Sequence, residues 1–319
     1  MNGKISGRLF LSITVIYIAV ELLLSFTTLL DGLDVIGSMI ISELIIIVPS
    51  LVAFYFSRER FTEVFAIRGI KPVLIPLCIL FTVLVLPLCS CLNLVTLFFV
   101  ENQAAGIFDS LSEAGLGLMA FFTAVAAPVF EELTFRGVIF SGIRKSGSAV
   151  QAIVWSAVLF GLFHMNLNQM CYAIALGLFF GALREVTGSV IPSIICHMTI
   201  NGSSTIVMLL QSGGNSAAEE STSLQELASQ ALTTEILVQA LTIYIALAFA
   251  GAAVALCVLA LIARKQGVLV RFKEILTQRK ATRGHVAGPS LIAGVVVGSL
   301  MISFVLVWKW IGPAIIAGS

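Results

Sequence analysis

The sequence predicts an all-α protein: a polytopic helical membrane protein of eight to nine transmembrane helices with its N-terminus inside. Three observations predict it. The 319 residues are 59% hydrophobic and only 11% charged, far below the roughly 25% charged residues of a soluble domain. Apolar runs of about 20 residues recur along the chain, the length a helix needs to cross a bilayer core. Lys and Arg crowd into alternate loops, the pattern left by short basic segments held on the cytoplasmic side.

Nine spans are expected, at residues 9–30, 35–56, 73–99, 115–143, 149–166, 169–184, 189–211, 236–263 and 289–312. The first follows Lys4 and Arg8 and lacks a small-residue cleavage site, so it reads as a retained helix and not a signal peptide. The fourth is too long for one simple crossing, and Pro128 and Gly137 within it predict a kink or a partly re-entrant stretch. Basic residues follow the second span (Arg58, Arg60, Arg68, Lys71), the fourth (Arg144, Lys145), the sixth (Arg184) and the eighth (Arg264, Lys265, Arg271, Lys273, Arg279, Lys280, Arg283). The intervening loops carry Asp31 and Asp34, then Glu101, Asp109 and Glu113, then Glu219, Glu220, Glu226 and Glu235, without Lys or Arg. Lys309 near the last outer end is the exception to an N-inside, C-outside chain.

The net charge of +1 says nothing of partners, because the charge asymmetry is topological, and no basic surface with interleaved aromatics suggests nucleic acid. The six cysteines, Cys78, Cys89, Cys91, Cys171, Cys196 and Cys257, lie in apolar spans without a CxxC pair and read as packing residues. Residues 213–235 form an acidic outer loop with a short amphipathic helix. Residues 264–288 form a basic loop whose Val268, Leu269, Val270, Phe272, Ile275 and Leu276 either lie on the anionic leaflet or simply fix topology. The chain thus divides into residues 1–113 (helices one to three), 114–211 (helices four to seven) and 212–319 (the acidic loop, helix eight, the basic loop and helix nine).

Charged and imidazole side chains are costly inside a bilayer unless they face one another or water, yet three motifs carry them there. These are Glu131-Glu132-x-x-x-Arg136, Phe160-x-x-x-His164 and His197-x-x-x-Asn201. Arg136 at i+4 shares a helix face with Glu132, while Glu131 points about 100° away. The economical arrangement pairs Glu132 with Arg136 and leaves Glu131 facing a cavity as a general base. At about 1.5 Å per residue, counting from the basic loop ends puts Glu131, His164 and His197 at one depth within a turn or two. Of the three histidines only His285 falls in a loop, where it reads as solvated. Glu21 and Glu43 read as interhelical hydrogen-bonding residues, with lining of the same cavity or a substrate gate as the alternative.

In order and spacing these motifs resemble the signature of the CPBP (Abi) family of intramembrane proteases, which includes type II CAAX prenyl endopeptidases and bacteriocin-processing or immunity proteins. The resemblance covers about residues 115–205. It implies an all-helical peptidase, a hydrolase with its site among these helices, and residues 114–211 as the catalytic core. Catalytic roles then fall to Glu131, Glu132, His164, His197 and Asn201, supported by Arg136 and Phe160. Glu131 with His164 would activate a water, while His197 and Asn201 would polarise the carbonyl and hold the oxyanion. A Zn2+ ion on Glu131, His164 and His197 stands equally beside a metal-free glutamate mechanism. The partners expected are the bilayer and a membrane-associated peptide or protein substrate, in a bacterial plasma membrane. Two rival classes stay open: a non-catalytic scaffold or bacteriocin-immunity protein, and a proton-coupled transporter.

Overall fold

A computed structural model describes residues 1–26, 35–97, 100, 116–212, 234–270, 286 and 288–317. Among these the chain is helical throughout, without strands. The helices are α1 (Gly3–Phe26), α2 (Val35–Ser57), the single turn α3 (Phe61–Val64) and α4 (Leu74–Leu97). Next comes α5, a continuous run from Leu116 to Ser146, then α6 (Ala149–Phe163), α7 (Leu167–Thr187), α8 (Ile191–Ser212), α9 (Thr234–Gln266) and α10 (Pro289–Ala317). Apart from α3, these correspond one to one with the nine expected spans. The acidic loop up to residue 233, most of the basic loop with His285, and the acidic residues of the first two outer loops lie outside the described residues.

Among the described residues seven helices are long and apolar enough to cross a membrane, and the chain is a multi-pass membrane protein. Apart from the single turn α3, the two that depart from that standard both carry candidate site residues. With 15 residues, α6 reaches about 22 Å, short of a bilayer core of about 30 Å. At least one of its ends therefore stops within the apolar layer. The second, α8, carries His197, Thr199, Asn201 and several serines.

The long fourth span does not re-enter. Within α5, π-helical stretches at Phe122–Ala126 and Leu133–Ile139 flank a short α-helical piece, Ala127–Glu132. Pro128 has no N–H for the carbonyl of Ala124, which favours the upstream π-helical turn. Stretches of this kind shift the faces of a helix and frequently mark functional sites.

Helix ends follow local chemistry. Ser148 and Gln151 form a capping box at the start of α6, satisfying two otherwise orphaned N–H groups. Gly188, at φ +69°, ends α7 in the left-handed conformation that only glycine adopts without strain.

Two apolar clusters fill the bundle. One joins α1, α2, α5, α6 and α10, and the other joins α4, α7, α8 and α9. Lipid tails are as apolar as leucine, so close backbone approach at small residues carries much of the association. At Gly251 of α9 an added Cβ would lie 2.2 Å from the Leu84 carbonyl oxygen of α4. At Gly7 of α1 it would lie 2.8 Å from the Leu291 nitrogen of α10.

The segment following α2 is more than a basic loop. Val64, Phe65 and Ala66 are buried, and the Val64 carbonyl accepts from Ser141 Oγ at 2.8 Å. The Ala66 carbonyl accepts from the Val190 N–H at 3.0 Å, and the Arg68 carbonyl from Ser189 Oγ at 2.6 Å. The segment thus seals the bundle beneath α5 and the α7–α8 turn, a tertiary fit that apolar-run counting does not reveal.

Replacing Gly251 by alanine should force α4 and α9 apart and destabilise the protein by about 1–3 kcal/mol. Gly117→Ala, where an added Cβ meets nothing within 4 Å, should be neutral or stabilise by up to about 1 kcal/mol. Thermal unfolding in one detergent, variant beside variant, checks both.

Candidate active site

Glu132 lies at the end of the piece between the two π-helical stretches, and its fully buried side chain pairs with the equally buried Arg136: Nη1 donates to Oε1 at 2.8 Å. The pairing expected from their spacing is therefore present. Two buried charges are tolerated only when each neutralises the other. Arg136 is further held between aromatic faces, its Cζ 4.2 Å from the Phe160 ring centre and 5.4 Å from that of Phe180. Such faces attract a guanidinium, which matters here because Nε and Nη2 have no hydrogen-bond partner. Room for the group comes from Gly177 of α7: a Cβ there would lie 3.1 Å from Arg136 Nη2 and 2.8 Å from the Ala157 Cα. The Arg136 carbonyl, in the second π-helical stretch, accepts from Arg184 Nε at 3.2 Å.

His197, on α8, turns its ring edge to both glutamates. Nδ1 lies 3.2 Å from Glu132 Oε1. An ionised carboxylate only accepts, so Nδ1–H donates, and in the neutral imidazole Nε2 then carries the lone pair. That Nε2 lies 3.8 Å from Glu131 Oε2, an oxygen without a hydrogen-bond partner. His164, the residue capping α6, donates from Nδ1 to the Phe160 carbonyl at 2.8 Å and likewise keeps a lone pair on Nε2.

Phe160 explains its own motif. Its ring packs edge-on to His164 (centroids 4.9 Å apart) and to His197 (5.8 Å) while lying under Arg136. One side chain thus joins the three motifs. Asn201, one turn beyond His197, donates Nδ2–H to the Thr123 carbonyl at 3.1 Å, within the first π-helical stretch. Its second N–H is left for another acceptor.

The turn after His164 lies where irregular backbone survives only inside protein. Met165 is buried there with φ +50°, and Asn166 caps α7 by accepting from the Asn168 N–H at 2.9 Å. The Asn168 side chain donates to Asn93 Oδ1 at 2.9 Å and to Thr96 Oγ1 at 2.7 Å, tying the turn to α4.

The structure therefore brings Glu131, Glu132, Arg136, Phe160, His164 and His197 together, with Asn201 one turn along. Glu43 of α2 lies within electrostatic reach of Glu131, whereas Glu21 stays partly exposed on α1. Phe180, Gly177, Thr123 and Asn168 had no motif to mark them in apolar sequence.

The expected zinc set fits less well. Glu131 Oε2 and His197 Nε2, 3.8 Å apart, are close enough to share one ion. However, no three His, Cys, Asp or Glu side chains among the described residues are arranged to hold a metal. His164 does not complete the set, and no step below passes through a metal.

One comparison with known proteins falls on this region and a second covers part of the chain. Residues 113–203 match the family described as type II CAAX prenyl endopeptidase Rce1-like. A Bacillus subtilis (strain 168) protein, YdiL, whose name gives it provisionally as a membrane peptidase, is 28% identical over 125 residues. That match takes in 39% of this chain and spans half the length of the relative. No solved structure matches the chain significantly.

Removing one partner of the buried pair should cost more than removing both. Arg136→Leu is expected to destabilise the protein by about 3–5 kcal/mol, and adding Glu132→Gln to it should recover much of that loss. Thermal unfolding of the single and double variants checks the pair.

Proposed function

Because the core carries the CPBP signature and the family match falls on it, the resemblance to that family of intramembrane proteases stands, and we propose that this protein is an intramembrane endopeptidase. It cleaves peptide bonds of membrane-associated proteins or peptides, in a bacterial plasma membrane and with its N-terminus inside. The observation that carries this reading is a glutamate oxygen without a hydrogen-bond partner beside an imidazole nitrogen, 3.8 Å away. A water oxygen at about 2.8 Å from each atom completes a triangle with that base.

In the mechanism we infer, Glu131 takes a proton from that water and the oxygen adds to the scissile carbonyl carbon. His197 accepts the water's other hydrogen at Nε2 and so orients it. The task expected of His197, polarising the carbonyl, needs an N–H at Nε2. Donation from Nδ1 to Glu132 argues for the orienting task instead. The oxyanion then falls to the second N–H of Asn201. The C–N bond breaks as the proton held by Glu131 passes to the leaving amine. His164, with its Nε2 lone pair, acts as a local proton acceptor. Glu132 and Arg136 fix the His197 ring and the α5 backbone. Preorganised groups of this kind act strongly where water is excluded.

The test is cleavage of a quenched fluorescent peptide library by the purified protein in nanodiscs. Glu131→Gln should lower turnover by about 10²–10⁴-fold, the usual contribution of a positioned base, without lowering the unfolding temperature. Equal inactivity of folded wild type and variant would move the scaffold or immunity reading ahead, and proton-coupled flux lost in Glu131→Gln would favour a transporter. In a separate arm, treatment with a chelator should leave the cleavage rate unchanged. Loss restored by added zinc would contradict the metal-free mechanism.

A further inference from the structure

The three motifs lie within the matched residues 113–203, but the site has a wall that lies outside them. Helix α2 packs along α5 beside the piece that carries the glutamates, and the two run in the same direction. Ile36, with Val35 and Met39, packs against Met119 and Phe122 at one end. Ser50 Oγ and Thr134 Oγ1 share a hydrogen bond of 2.9 Å at the other. Thr134 Oγ1 also donates to the Ile46 carbonyl at 3.5 Å. These contacts fix the register, and between them position 43 of α2 falls opposite residues 127–131 of α5. Glu43 shares a face with Ile46 and Ser50, and Glu131 with Thr134, by the three- and four-residue spacing of a helix.

Glu43 is 92% buried, being 8% exposed, and its Oε2 has no hydrogen-bond partner; neither has Glu131 Oε2. A buried carboxyl without a donor is expensive at this depth, and the α2–α5 contact would be better served by leucine if packing were its only task. Two facing carboxyl groups satisfy each other when one O–H donates to the other's oxygen.

We propose that Glu43 is a positioning residue of the active site: its carboxyl hydrogen-bonds that of Glu131 across the α2–α5 interface and holds it in the orientation that meets His197 Nε2. Its effect on turnover rests on the endopeptidase reading. The contact itself does not.

The test uses the full chain in nanodiscs. Glu43→Gln keeps an N–H donor on a side chain of equal length, and Glu43→Leu removes it. Leucine should lower kcat by about 10-fold or more with KM unchanged within about twofold, since small misplacements of a reacting group cost this much. Glutamine should restore most of the rate. If leucine and glutamine variants both keep the wild-type kcat, Glu43 is a packing residue and the proposal fails. A second arm needs no activity: unfolding temperatures of Glu43→Leu, Glu131→Leu and the double variant. Contacting carboxyls make the two changes non-additive, because each single variant strands the other group. Additive shifts would overturn the contact. Non-additive shifts in a protein that cleaves nothing would support the contact and remove the endopeptidase reading instead.

Discussion

The buried ion pair between Glu132 and Arg136 is the interaction on which the rest of the site depends. Neither side chain reaches solvent, so neither charge is tolerable alone in this surrounding. From that requirement the architecture follows. The guanidinium needs flat, electron-rich neighbours, which Phe160 and Phe180 supply from α6 and α7. Its bulk needs a gap between those helices, which Gly177 supplies. The same carboxylate oxygen that accepts from Arg136 also accepts from His197. The ion pair thereby sets which nitrogen of His197 carries the proton and which faces Glu131.

The helices around the pair are irregular in ways that serve it. A helix of 15 residues ends short of the far interface and leaves His164 on a turn at depth instead of on a loop in water. That turn is held by Asn166 and Asn168, whose side chains satisfy polar groups that lipid would not. In α5 the π-helical stretches free carbonyls from the regular pattern. Thr123 offers one to Asn201, and Arg136 offers another to Arg184. Departures from ideal helix and functional contacts thus occur at the same residues.

Much of this was legible in the sequence, and the limits are physical. Spans are readable because lipid requires long apolar runs, and the Glu132–Arg136 pair is readable because i and i+4 share a face. The convergence of the histidines was readable as equal depth. By contrast, Phe180 and Gly177 look like any other residues of an apolar helix, since their roles depend on which helix packs opposite. The insertion of Val64, Phe65 and Ala66 beneath α5 was hidden for the same reason. Glu43 stood out as a charge in a span, but only the register set by Ser50 and Thr134 turns it towards Glu131. The zinc alternative was legible as three residue types, but how Glu131, His164 and His197 lie toward one another depends on helix packing that residue type does not carry.

In the proposed mechanism the pinned pair leaves Glu131 to take a proton from water and not to attack the peptide itself. Repeated turnover in H2¹⁸O, followed by mass spectrometry of product and protein, tests this directly. The account predicts ¹⁸O in the newly formed product carboxylate and none in the Glu131 side chain. Label in Glu131 would show that its oxygen had bonded to the substrate, and would contradict the account.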